Sequence, residues 1–345
     1  MIELLKRLVN ACSVSGYENE VRELIIEEIS NNVDEIKIDK IGNLIARKGH
    51  GKPKVMIAAH MDSIGLMVKY IDDKGFIRFE PVGGVDKRIV LGKVVNIYTC
   101  NGIIKGIVGC KPIHLFKKEK KITTPEMEEM YIDIGAKNKK DVEKSKIRIG
   151  DFITFESKVV DLKNNRVAGY GFDDKIGCLQ LIEIAKNIKD FEGTLYIVGT
   201  IEEEIGLVGV RGSAFSINPD VLIALDTTIA GDTPDIKEGE VVPLLGKGPV
   251  LGIKDAVSIV NSNVKKWLED SAKGVGVKLQ YDVLSHGATD SSVASIVREG
   301  IPSGSLLIPT RYLHTGVEVV DMSDVKGSIK VMMKAIENAC DYLCK

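Results

Sequence analysis

Apolar residues recur along this chain with two different periods, and the change of period divides it. Leu4, Leu5 and Leu8 share one face of a first helix; Val21, Leu24, Ile25 and Ile29 share one face of a second. Ser15 and Glu18 stand three residues apart just before the second run and predict a capping box. EIKID and NLIAR flank a turn at Gly42 and predict a hairpin-like pair. KVMIAAH, residues 54–60, is the unbroken apolar run of a strand buried on both faces. From about residue 70 the texture becomes short alternating segments with glycine turns: GFIRFEPV, VVNIYTC, GIIKGIVG and DFITFES. That alternation predicts a small all-β barrel or sandwich inserted at residues 70–164, with the Lys- and Thr-rich stretch 111–125 as a mobile loop.

No long helical period returns until about residue 173. Ile176, Leu179 and Ile182 then mark a helix opening at Asp173, and TLYIVGTI and VLIALD read as buried strands. Residues 261–274 and 288–298 carry helical periods, SLLIP is a further strand, and Val325, Ile329, Met332, Ile336 and Leu343 predict one long final helix. Alternating strands and helices with apolar strands predict an α/β fold, its mixed sheet covered by helices on both faces. The main domain is then discontinuous, residues 1–69 plus 165–345, interrupted by the β insertion.

Composition narrows the function classes. The 345 residues are 44% hydrophobic and 28% charged with a formal net charge of −2, ordinary for one large core plus a second domain. The near-neutral balance argues against nucleic acid as the main partner. No run reaches the 18 or so apolar residues of a membrane span. The opening MIELLKRLVNACSVSG carries charges inside its apolar stretch and reads as an amphipathic helix, not a signal peptide, so the cytoplasm is the expected location. Cys12, Cys100, Cys110, Cys178, Cys340 and Cys344 form no C-x-x-C pair and read as reduced, mostly buried thiols.

Candidate chemistry gathers where apolar runs end. His60 closes KVMIAAH with Asp62 two residues on; an H-x-D pair lets the imidazole bind a metal while the carboxylate holds its other N–H. The pair by itself also fits a core or turn histidine. Glu202, Glu203 and Glu204 follow TLYIVGT directly, costly at a buried strand end unless a cation neutralises them, though a solvated loop tip fits as well. Asp226 ends VLIALD; His314 follows SLLIP within RYLHTG; Asp173 and Asp174 open a helix, where a simple cap is the plain alternative. Two imidazoles with several carboxylates suit zinc or cobalt, one carboxylate bridging, and two ions about 3.5–4 Å apart can share a water and lower its pKa. A spare carboxylate beside them can move that water's proton to a leaving amine. A glycosidase would instead need two acids about 5–10 Å apart without metal, and the histidines argue against it. His114 and Asp290 carry structural defaults, as a packing residue and a helix-start support; His286 is left open.

AAHMDSIGLMV, GFIRFEPVGGVDKR, KPIHL, YIDIGA, GFDDKIGC, EEEIGLVGV, ALDTTIAGDTP, GATD and RYLHTGVEVV, in that order, closely resemble metallopeptidase family forty-two. These are the glutamyl/leucyl aminopeptidases that assemble as tetrahedral (TET) particles. The resemblance implies two divalent ions, zinc or cobalt, with Asp173 bridging, His60 and Asp226 on one ion, and Glu204 and His314 on the other. It implies Glu203 as general acid/base and Asp62 as the residue orienting His60. It further implies an inserted PDZ-like β-barrel used in assembly, peptide substrates, and homo-oligomers built from dimers to a dodecamer. Ser63, Glu202, Val208 and the Thr315-Gly316 pair depart from the family's usual residues, which touches substrate preference more than chemistry. A deblocking amidase on the same site, an endoglucanase-type glycosidase and a non-catalytic assembly protein are the rival readings.

Overall fold

The computed structural model describes residues 1–115, 123–234, 236–237 and 239–344. Part of the loop expected at 111–125 therefore lies outside the described residues.

An eight-stranded mixed sheet forms the body, in the order Glu35–Ile38, Leu44–His50, Gly193–Thr200, Lys54–His60, Val221–Ile229, Ser303–Thr310, Val250–Lys254, Gln280–Val283. Lys54–His60 sits at its centre, parallel to both neighbours, and Val221–Ile229 runs parallel to Ser303–Thr310. Four central strands thus end on the same edge. Alternation along each strand sends side chains to opposite layers. Val55, Ile57 and Ala59 join the larger core; Met56 and Ala58 join a smaller one on the other face. The larger core takes Leu179 and Ile182 from the helix Phe172–Asn187, Trp267 from Ser262–Gly274 and Met332 from Met322–Glu337. The smaller takes Val210 and Ala214 from Val208–Ile217 and Val293 from Asp290–Ala294.

The alternating middle of the chain closes on itself. Gly65–Ile71, Ile77–Val82, Tyr131–Asp133, Gly102–Gly109, Val94–Thr99 and Phe152–Phe155 form a six-stranded barrel. Its own core contains Leu66, Phe79, Ile97, Ile132 and Ile153. Closure removes the exposed edges that so many short strands would otherwise present.

Several local expectations are corrected. Ser15 and Glu18 form no capping box: the Asn19–Ile29 helix has no side-chain cap, and both side chains reach the candidate site instead. The helix expected at 288–298 is only Asp290–Ala294. The insertion carries a short helix, Lys139–Lys144, where none was expected. The long final helix is two, Met322–Glu337 and Ala339–Leu343, broken at Asn338. There the Trp267 indole donates to the Ala335 carbonyl (3.0 Å) and the Asn338 side-chain oxygen (2.9 Å), so a cross-helix bond takes Asn338 out of the run. Only Cys12 and Cys178 are buried, and all six cysteines are free. Among the described residues no helix is long and apolar enough to cross a membrane.

Candidate metal centre

Strand ends build the site. Thr200 is registered beside His60, and two residues past the Ala224–Ala58 pair stand Asp226 and His60, so three neighbouring strands deliver their polar groups to one edge. Asp173 opens the helix packed against these strands, with non-helical dihedrals at Asp173 and Asp174. His314 lies past the fourth strand in a left-handed turn residue, φ 59°. A β-carbon-bearing side chain is strained there, a cost that persists only where surrounding bonds fix it. The backbone N–H of His314 donates to Glu318 (3.1 Å), and so does that of Asp173 (3.1 Å).

Asp173 stands between the two histidines. Its Oδ1 is 3.1 Å from His60 Nε2 and its Oδ2 is 3.3 Å from His314 Nε2. Glu204 Oε2 lies 3.5 Å from His314 Nε2, and Asp226 Oδ1 lies 3.8 Å from His60 Nε2. Ligand atoms of Asp173, Glu204 and His314 all fall within 4.8 Å of one another, as do those of His60, Asp174 and Asp226. The five expected ligands are thus brought together, and Asp174, to which the family resemblance gives no role, joins them.

Behind the first ring, Asp62 is fully buried and accepts the Ser15 hydroxyl (2.6 Å) and the backbone N–H groups of Glu203 (3.0 Å) and Glu204 (3.1 Å). His60 Nδ1 faces the Asp62 carbonyl at 3.1 Å and its carboxylate at 3.5 Å. Glu18 accepts from Gly16 (2.6 Å) and Glu202 (3.3 Å), and the Cys178 thiol donates to the His60 carbonyl (3.3 Å). Asp290 opens the helix Asp290–Ala294 as the acid of its first turn, as expected, without capping it. Thr289 and Ser292 make that cap, while Asp290 accepts the Thr200 hydroxyl at 2.6 Å. His114 is exposed on a short turn, whereas His286 lines the cleft.

The charge balance decides what the cluster is for. Among the described residues, Asp62, Asp173, Asp174, Glu203, Glu204, Asp226, Asp290 and Glu318 meet only two imidazoles. The buried Lys175 turns to the Ala11 carbonyl. Several kcal/mol is a typical penalty for each uncompensated buried ion. Burial first, and then neighbouring acids, hold Glu203 and Asp226 far above the ordinary carboxylate range and lift Glu204 to about 7 and Glu318 to about 8. Burial opposes charge on His314 too, yet Asp173 and Glu204 outweigh it and hold its pKa up to about 10. Buried oxygens of Glu204 (Oε1) and Asp174 (Oδ2) have no hydrogen-bond partner. Imidazole and carboxylate donors with orphaned oxygens fit divalent cations.

The cluster opens into a cleft of about 790 Å³. Residues 42–331 match the M42 glutamyl aminopeptidase family. The chain belongs to the M42 family of aminopeptidases. A lysyl aminopeptidase of Pyrococcus furiosus is 37% identical over 97% of this chain and 96% of its own. An aminopeptidase structure from Desulfurococcus kamchatkensis superposes with a TM-score of 0.94 at 38% identity, covering 98% of this chain and 94% of that one. The TET1 peptidase of Pyrococcus horikoshii, described as assembling into a tetrahedron or a large octahedral shell, gives 0.87 at 34% identity, covering 97% and 98%. The protein is therefore a peptide hydrolase of a metal-dependent family.

Proposed function

We propose that this M42 enzyme removes N-terminal residues from peptides using two divalent ions, zinc or cobalt, in the cluster just described. The observation that supports this most directly is Asp173, with one carboxylate oxygen toward each histidine. His60 and Asp226 would hold one ion, Glu204 and His314 the other, and Asp173 both; Asp174 stands beside the first group. When bound, the ions supply Lewis acidity that polarises the peptide carbonyl and lowers the pKa of water.

The chain's own residues do the proton work. Glu203 lies at the cleft wall, its Oε2 4.0 Å from His60 Nε2. As a carboxylate it takes the proton of the attacking water, and the same oxygen returns it to the departing peptide nitrogen. Asp62 keeps the His60 ring in one orientation and ties the Glu203–Glu204 backbone to it. The acid-rich rim attracts a free α-amino group, which favours the chain end over internal bonds. Histidines seated between the carboxylates speak against the metal-free acid pair of a glycosidase.

The same reading includes a cytoplasmic homo-oligomer of dimers assembling to a dodecamer. Exposed Ile103 and Ile107 on the barrel give that assembly an apolar surface. The deciding experiment compares metal-free and metal-restored protein on peptides with free and N-acylated ends. Cleavage only of free ends, only after metal is restored, is the expected result. Preference for acylated ends points to a deblocking amidase, and cellulose cleavage surviving a chelator to a glycosidase. Light scattering on a sizing column checks the assembly, and a stable monomer would refute it.

A further inference from the structure

We infer that the cleft selects a first residue with a long cationic side chain, lysine or arginine, and that Asp282 is the residue that selects it. This rests on the aminopeptidase reading above and adds the substrate class.

One wall of the cleft leads from the candidate metals to this carboxylate. Asp226 and Thr228 lie two apart on the strand Val221–Ile229, and both line the cleft. That spacing puts them on one face roughly 6.6 Å apart. The Thr228 hydroxyl donates to Asp282 Oδ2 at 2.5 Å. Asp282, on the edge strand Gln280–Val283, is 4% exposed and lines the same cleft. A lysine side chain spans roughly 6 Å from Cα to its nitrogen. A residue whose amino group and carbonyl sit at the metal cluster extends its side chain along this wall in the direction of the acid. Ile253, Val260 and Leu307 line the cleft as well and suit the methylenes of such a chain.

The other charged side chains of the wall are already engaged. Arg88 pairs with Asp86 through two nitrogens. Lys254 donates to the carbonyls of Asp255 and Leu284. Asp255 accepts from two backbone N–H groups and from the Ser258 and Ser292 hydroxyls. Asp282 has the Thr228 hydroxyl, the Val283 backbone and the attraction of exposed His286 to favour its charge, but among the described residues it makes no ion pair. Burial accordingly holds its pKa above the ordinary value. An ammonium or guanidinium from the substrate supplies the missing countercharge, and an acidic first residue would meet like charge.

The test measures kcat/KM of metal-restored enzyme on lysyl, arginyl, norleucyl and glutamyl chromogenic amides. Norleucine keeps the methylenes and lacks the charge. We expect lysyl over norleucyl by a factor on the order of 10 to 100, carried mainly by KM. Asp282→Asn should bring that ratio close to one. Norleucyl equal to or better than lysyl in the unaltered enzyme, or an unchanged ratio in Asp282→Asn, overturns the inference. Should that variant fail to fold, inhibition of the unaltered enzyme by free lysine against free norleucine decides, and equal inhibition overturns it. Failure on every amide removes the aminopeptidase reading and this inference together; good cleavage of norleucyl or glutamyl amides with poor cleavage of lysyl removes this inference alone.

Discussion

Replacing Asp62 by asparagine removes one buried charge and tests the second ring of the site in isolation. The carboxylate accepts the Ser15 hydroxyl at 2.6 Å, two backbone N–H groups at 3.0 and 3.1 Å, and faces His60 Nδ1 at 3.5 Å. Asparagine keeps one acceptor oxygen; its NH₂ cannot accept, so one of the two backbone N–H groups loses its partner. Hydrogen bonds to a charged group contribute about 1.5–3 kcal/mol, and a buried donor left unpaired costs about 1–3 kcal/mol. The metal-free protein should therefore lose about 2–4 kcal/mol in a denaturant titration. Burial pushes the Asp62 pKa up, but the His60 hydrogen bond and charge outweigh it and hold it below the ordinary value. A lowered folded pKa means this stability is present above the ordinary carboxylate value and is lost as pH falls through the folded one. The variant and the unaltered protein should converge in strong acid. Loosened support of His60 and of the Glu203–Glu204 backbone should weaken metal affinity about 10–100-fold, read by competition with a chelating dye. Unchanged metal affinity together with unchanged stability at neutral pH would refute the role given to Asp62.

Glu203→Gln should keep metal affinity within a few-fold and lose about 10²–10⁴ in kcat; near-normal turnover would remove the proton-transfer role. His314 is held protonated up to about 10 and Glu204 up to about 7, so an ion binding at neutral pH must displace protons and bind more tightly as pH rises. Calorimetry in buffers of different ionisation heat reads that release, and a buffer-independent heat would contradict it. Trp267→Phe removes the donor to Ala335 and Asn338 from a fully buried position and should cost about 1–3 kcal/mol by circular dichroism in denaturant. A loss under about 0.5 kcal/mol would show that Asn338 breaks the final helix without that bond.

The parts of this molecule that could be read from its sequence are those whose cause is local or one-dimensional. KVMIAAH and VLIALD are apolar without interruption because both faces of their strands are covered, and the first polar residue after such burial marks the edge where a site can form. His60 and Glu202–Glu204 are legible on that ground. Asp173 is legible only through its neighbours, because an acid at a helix start also fits a cap. Ser15 and Glu18 show the opposite case. Their spacing is that of a capping box, yet besides the Gly16 N–H that Glu18 also accepts, their partners lie 47 and 184 residues away, beyond any window of local pattern. Asn338 interrupts a helical period through a bond to Trp267, 71 residues back. Glu318 sits in an apolar strand where its two backbone partners, Asp173 and His314, cannot be guessed. A ligand must bring a particular donor atom to the end of a strand, so residue type and position both carry signal. A residue that only holds backbone N–H groups needs an acceptor at the right reach, and many sequences supply one. The outer ring is therefore as necessary to the geometry as the inner one and far less visible in the chain that encodes it.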